Sequence, residues 1–470
     1  MKISKTSFTL PFVLLAICLC LFTTCNTIRD TGENNVLGKQ EDLKNQLSEI
    51  HLPISYSTKK LEDLLNKQLK PVIYQDDSFD KPKKDNLKIK VMKAGKVIVE
   101  VEGNVVNYVL PLSIECELRK KPLPIVKTSF SLKVRGKSSV EIEKNWKLKT
   151  KSKFLGIEWI EHPKLNLGFA EFDLTNKVEK VLNAHGDEIF HKLDLIVKEK
   201  ADIKHQIEQI WYNIQKPICI NRKEKKIWLK FDNQDISASQ VYGHAGNLLI
   251  HTKIHAYIQT IVADTIEHYH HQPLPNLTRL KAKDKNDQFD MFVLSVIPFD
   301  DLNAILQHHV GGKVLAAEGH SMTIKEAALF GEQGNLALKI NFSGEIQGEV
   351  KLKTAIYHDS TDNALLLKEF DFLVESDDML VQVADWLLHD KVKAELSKYL
   401  KIPLQPHIER LPELINKGVE HGKTGKRIDL VLKNMKLHPQ KILITPNNIQ
   451  LLIHTKGNGM IILDKLGKLE

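Results

Sequence analysis

The hexapeptide LLIHTK occurs twice, at Leu248–Lys253 and again at Leu451–Lys456, an interval of 203 positions. Working back from each copy gives two similarly ordered series. IWLKFDNQDI (227–236) precedes the first hexapeptide, and IDLVLKNMKL (428–437) precedes the second. Earlier still, SYSTKKLEDLLNKQL reads as a short helix, with Ser57 or Thr58 as N-cap and Leu61, Leu64, Leu65 and Leu69 on one face. IPFDDLNAILQHHV repeats that face with Leu302, Ile305, Leu306 and Val310, at a constant offset of 241. The offset then falls to 203, so the first series carries about 38 more residues. Two series in one order predict a duplication. A unit of this size is a domain-scale module, far longer than solenoid repeats of roughly 20–50 residues.

Between these landmarks the hydrophobic period changes in the same order twice. LKIKV (87–91), VIVEVEGNV (97–105), LSIECEL (112–118) and FSLKVRG (130–136) alternate apolar with polar, as do LALKINFSG and EVKLKTAIY in the second series. Period two predicts antiparallel sheet with one buried face. A helical stripe follows from Leu174 to Ile214, through Val178, Leu182, Ile189, Leu193, Ile196, Ile203, Ile207 and Ile210. It predicts one helix of about eleven turns, bent at Gly186 and ended by Pro217. A second stripe begins near Met379 and passes through Leu387, Leu396 and Leu400 before Pro403 and Pro406 break it.

The expected fold is therefore α+β: two tandem modules, each a strongly curved antiparallel β-sheet wrapped around a long α-helix. Gly95, Gly103 and Gly136 are among the glycines available for kinks. The expected boundaries are 51–267 for the first module, a polar, Pro-containing linker at 268–288, and 289–470 for the second. A sheet wrapped on one helix leaves an apolar cleft. Leu182, Ile189, Leu193, Ile196, Leu387, Leu396 and Leu400 are the candidate lining residues.

The 470 residues exceed what one ordinary core organises and suggest two to four domains. The formal charge of +8 is spread along the chain, with no patch or arm of the kind nucleic-acid binders concentrate, so no nucleic-acid partner is expected. The N-terminus has a different character. Lys2 and Lys5, an apolar run from Phe8 to Phe22 and small residues before Cys25 follow the plan of a secretory signal over 1–24. Cys25 stands where a bacterial lipobox places its lipidated cysteine, although Phe22 replaces the usual leucine. Residues 25–50 then read as lipid anchor and flexible tether. Outside this leader and Cys25, only Cys116 and Cys219 remain, both in apolar surroundings that suit buried free thiols, although the spacing leaves a pairing open.

Catalytic and metal motifs fail on spacing. HGKTGK (421–426) has Lys417 where a phosphate loop needs its first glycine. No GxSxG, HExxH or CxxC occurs. The histidines of EHYHHQ and QHH lack an accompanying Cys or carboxylate set at zinc-site spacing. His251 and His454 fall on the polar phase of a strand and are read as outward-facing equivalents. No catalytic residue, metal or cofactor is expected.

The leader and lipobox-like cysteine, the FLGIEWIEHPKLNLG segment before a long helix, the KPICI and IWLKF segments and the duplicated plan together resemble a bacterial family, the domain of unknown function 4403. The resemblance spans Leu52 to Leu466 and extends to the tubular lipid-binding (TULIP, BPI-like) superfamily. It implies a helix-wrapping fold and a lipid or other hydrophobic ligand, and supplies no active-site residues. The expectation is a non-catalytic envelope lipoprotein that binds or transfers lipid, membrane-attached through Cys25 and placed at the outer membrane facing the periplasm. The alternative is a structural or adaptor lipoprotein that binds another envelope protein.

Overall fold

The computed structural model describes residues 41–463 except 81–85, 120–123, 167–170, 202, 222–225, 267–270, 282–284, 318–319, 345–346, 360–363, 373–400, 404–412 and 414–427. The leader, Cys25 and the second helical stripe, with Leu387, Leu396 and Leu400, lie outside the described residues.

Two short strands, β1 (Leu47–His51) and β2 (Ile54–Ser57), lead into helix α1 (Thr58–Gln68). β1 thus begins inside the stretch read as tether. Strands β3 (Val72–Asp76), β4 (Leu87–Lys93), β5 (Ile98–Glu102), β6 (Val105–Leu118), β7 (Val126–Ile142) and β8 (Leu148–Trp159) form a six-stranded antiparallel sheet. A ribbon of β9 (Lys164–Asn166) and β10 (Glu171–Asp173) precedes helices α2 (Thr175–Lys200) and α3 (Ile203–Gln215). Next come β11 (Ile218–Asn221), β12 (Ile227–Ala238), β13 (Tyr242–His244), β14 (Asn247–Ile250), β15 (Thr252–Val262) and β16 (Thr278–Arg279). The second half opens on β17 (Gln288–Pro298) and α4 (Phe299–Val310). A second six-stranded sheet follows, from β18 (Val314–Ala317), β19 (His320–Glu332), β20 (Asn335–Gly344), β21 (Gly348–Asp359), β22 (Ala364–Phe372) and β23 (Lys401–Pro403). Strands β24 (Ile428–Ile444) and β25 (Asn448–Leu463) return to the first half.

That return overturns the expectation of two tandem modules, each wrapped around its own long helix. The described chain is mostly sheet, and its largest sheet belongs to both halves. Eleven strands run in the order β11–β12–β15–β1–β17–β25–β2–β14–β13, with β16 beside β12 and β24 beside β25. The duplication is visible inside this sheet. Residues 47–57, which form β1 and β2, correspond at offset 241 to 288–298, which is β17. Within each copy the opening strand pairs antiparallel with the LLIHTK strand: β1 with β15, β2 with β14, and β17 with β25. Across copies, β15 pairs β17 in parallel, and its equivalent β25 pairs β2 in parallel. β1 meets β17 antiparallel, with Glu49 opposite Asp290, the same position in the two copies. The sheet is therefore pseudo-twofold about that point. The physical reason is edge satisfaction: strands ending each copy would expose unpaired N–H and C=O groups, and pairing across copies removes those edges. Hydrophobic alternation specifies a strand's buried face but leaves its neighbour open.

The hexapeptide has a role in this junction. Lys253 Nζ lies 3.6 Å from Glu49 Oε2, and its equivalent Lys456 Nζ lies 3.2 Å from Asp290 Oδ2. Each copy's lysine thus neutralises the acid at the pseudo-dyad, where two like charges would otherwise face one another. Burial alone would raise the Asp290 carboxyl, but hydrogen bonds with His454 and Lys456 outweigh it and hold it below the usual aspartate range.

The long stripe also divides. α2 ends at Ala201, whose N–H donates to Val197 O, and α3 starts afresh at Ile203. The apolar steps continue across this break, which is why the pattern reads as one helix. Gly186 lies inside the unbroken helix α2 and is buried. A Cβ there would lie 2.5 Å from the Phe154 ring on β8, and a Cβ at Gly136 on β7 would lie 2.4 Å from Phe190 of α2. The two glycines let helix and sheet interlock through one ring each. Acidic side chains of α2 complete the fit by accepting from groups on β8. Asp194 accepts from Ser152 N (2.8 Å), Asp187 from Phe154 N (2.8 Å) and Glu179 from Trp159 Nε1 (3.1 Å). The helix therefore covers the β8 edge with fixed acceptors.

Gly186→Ala tests the interlock. Alanine improves helix propensity by about 1 kcal/mol, but overpacking against Phe154 costs about 1–3 kcal/mol, so a net loss in urea-unfolding stability is expected. Adding Phe154→Leu should recover part of it, and full additivity of the two changes would sink the contact. A second test uses Cys116, which is buried on β6 and, like half-buried Cys219, is in no disulfide among the described residues. Burial pushes the Cys116 thiol up to about 12, so at pH 8 almost no thiolate is present for alkylation. Iodoacetamide should leave Cys116 unmodified in native protein and modify it in denaturant. For Asp290, a depressed folded pKa gives stabilisation present above the unfolded aspartate pKa and lost as pH falls through the folded value. Asp290→Asn should therefore narrow the stability difference between pH 7 and pH 3, measured by denaturant midpoints.

Candidate ligand clefts beneath helix α3

Helix α3 carries its apolar residues at Ile203, Ile207, Ile210 and Ile214, a stripe of three- and four-residue steps. Its far side is pinned. Buried Trp211 donates Nε1–H to Gln272 O at 2.9 Å, and Gln215 exchanges hydrogen bonds with the Gln272 backbone in both directions. Tyr212 packs on His271 with ring centroids 4.3 Å apart. The helix is therefore held from outside while its stripe faces the sheets.

Two apolar cavities lie under that stripe. Ile203 and Ile207 line the first, with Ile54 and Tyr56 of β2, Leu61 of α1, Val106 and Tyr108 of β6, and Leu248 and Ile250 of β14. Ile210 and Ile214 line the second, with Ile50 of β1, Leu52, Leu229 and Phe231 of β12, and Phe289, Met291 and Val293 of β17. The first has a volume of about 50 Å³ and the second about 100 Å³. One water needs about 10–15 Å³ by the same measure. Both spaces are thus narrow slots, large enough for more than a single water. Burial raises the Tyr108 hydroxyl far above the usual tyrosine range, with the Asp194 charge adding to it, so the first cavity's wall stays neutral.

The second cavity sits at a seam. The described core forms two apolar clusters, and Leu229, Phe231, Val293, Leu430 and Leu432 pack against both. All five also line the cavity. Where two cores meet through shared side chains, neither set closes the gap completely.

The sequence-derived lining residues stand elsewhere. Leu182, Ile189 and Leu193 are at most 2% exposed within the packed interface of α2, and Ile196 is half-buried beside them. None lines either cavity. The cavity residues of α3 were present in the same sequence stripe. What separates them is position, beneath α3 rather than in the α2–sheet interface, a property of packing that residue type alone does not carry.

The two LLIHTK histidines occupy equivalent polar positions but differ in partners. His251 stacks on Tyr242, with centroids 5.3 Å apart, and its Nδ1 lies 3.2 Å from Asn286 O. Burial lowers its pKa below the usual histidine range. His454 stacks on Phe292 at 4.6 Å and contacts Asp290. Among the described residues no group of three or more His, Cys, Asp and Glu side chains is arranged to hold a metal ion.

Comparison with curated proteins finds no match. Among solved structures, a crystal structure of lipopolysaccharide binding protein is similar over 89% of this chain and 99% of that one, at 11% identity and a TM-score of 0.29. The family profile described as Domain of unknown function (DUF4403) matches residues 46–462, and the chain belongs to that family.

Proposed function

We propose that this protein is a non-catalytic carrier of lipid or another hydrophobic ligand at the cell envelope. The observation that carries the reading is the pair of apolar cavities beneath α3, walled by aliphatic and aromatic side chains. Burying an acyl chain there gains about 0.8 kcal/mol per methylene. Association costs roughly 4–15 kcal/mol of lost freedom, so a chain of about ten methylenes binds only where the slot is already formed. The pinned outer face of α3 supports such preorganisation. Anchoring through a lipidated Cys25, at the outer membrane facing the periplasm, is part of the same proposal and rests on the N-terminal signal pattern.

Native mass spectrometry of Cys25→Ser protein, followed by solvent extraction, tests the carrier reading. One bound lipid or hydrophobic molecule per chain is expected. Half-buried Ile214→Trp, which fills the second cavity, should lower occupancy or select shorter chains. Repeated absence of co-purifying lipid, with no uptake of offered lipid, rejects the carrier in favour of an adaptor lipoprotein with filled cores. In that case crosslinking in cells should yield one defined envelope protein.

A further inference from the structure

A third space adjoins the first cavity and differs from both cavities in chemistry. It is a polar groove of about 720 Å³ at the break between α2 and α3, bounded on its other side by the β7–β8 turn and the start of β8. Lys147, Lys149, Lys198 and Lys204 line it. Lys204 lies 3.4 Å from Glu208. The other three form no ion pair among the described residues. Three carboxylates are also present, but Asp194 is already occupied by Ser152 N and Oγ, both at 2.8 Å. Glu143 and Glu199 remain.

The groove and the first apolar cavity share walls: Leu148, Thr150, Ala201 and Ile203 line both. The first and second cavities share no lining residue but succeed one another along α3, with Ile207 and Ile210 one turn apart and Leu52 and Ile54 flanking a single residue. The three spaces therefore follow one another along α3. From Ile203 to Ile214 the helix rises about 16 Å. That is close to half the roughly 30 Å hydrocarbon thickness of a bilayer, the length of one leaflet's acyl chain.

We infer that the groove seats a phosphate-bearing head group and that the acyl chain of the same amphiphile runs beneath α3 through both cavities. This rests on the carrier reading and specifies its ligand class and orientation. Lysine ammoniums are compact point charges suited to phosphate oxygens, and a groove of 720 Å³ exceeds the needs of a bare carboxylate. The glutamates can receive the amine of a zwitterionic head, so the shared requirement is the phosphate.

Displacement of a bound fluorescent hexadecanoate probe from the full-length protein tests this. Competitors are 1-palmitoyl lysophosphatidate, 1-palmitoyl lysophosphatidylethanolamine, palmitate and 1-monopalmitoylglycerol. In the Lys149→Glu/Lys198→Glu double variant, both phosphate-headed ligands should weaken by about tenfold or more, and monopalmitoylglycerol by less than about twofold. Both lysines are exposed, and Lys147→Glu serves as a second variant should the double one fail to fold. Equal weakening of monopalmitoylglycerol, no change for the phosphate-headed pair, or palmitate matching that pair in affinity overturns the head-group assignment while leaving lipid binding intact. If none of the four competitors binds the wild-type protein, the carrier reading falls with it.

Discussion

The structure depends on one junction, the pairing of the two copies' opening strands at Glu49 and Asp290. A duplicated chain could have closed each copy separately. Here the opening strand of each copy instead lies beside the closing strand of the other, and β17 is held between β1 and β25. That arrangement removes four potential edges at once. It also brings two carboxylates to one place, which Lys253 and Lys456 make tolerable. The hexapeptide repeated in the sequence is thus tied to the fold through its last residue.

From the shared sheet follows the seam between cores, and from the seam the second cavity. β12, β17 and β24 contribute side chains to both apolar clusters, because the sheet they share serves both. α3 lies over that region, while α2 stays on the first flanking sheet, fixed by Gly136, Gly186 and its acidic contacts with β8. The break after Ala201 therefore separates two jobs. α2 is a close-packed strut whose apolar residues are spent on core. α3 is a roof over space.

Much of this was legible in the sequence, and the parts that were not share a cause. The paired helices α1 and α4, the strand alternation and the repeated closing strands are local patterns, and they lie where the periodicity put them. Strand partners are not local. Nothing in LLIHTK distinguishes pairing with its own copy from pairing across copies, so the tandem-module expectation failed at that step. The helix break was hidden because the step from Ile196 to Ile203 is two turns, in phase whether or not the backbone is continuous. The cavity walls were hidden because Ile214 and Leu193 are chemically alike, and only packing makes one a lining and the other a filler.

The two copies have also diverged at the place where space exists. In the second copy the opening strand β17 and closing strand β25 run unbroken. In the first, both are interrupted: the opening strand at Leu52–Pro53 and the closing strand at His251. Pro53 stands where the second copy has Leu294, and proline cannot donate to a ladder. The two interruptions are stitched to each other, since Leu52 N donates to Thr252 O at 3.1 Å and Thr252 Oγ1 donates to Leu52 O. This stitch lies between the cavities, with Ile54 and Ile250 on one side and Leu52 and Ile254 on the other. A single strand pair has become two short ones, each free to take its own direction. The interruption of the ladder thus falls where the apolar space under α3 passes from the first slot to the second.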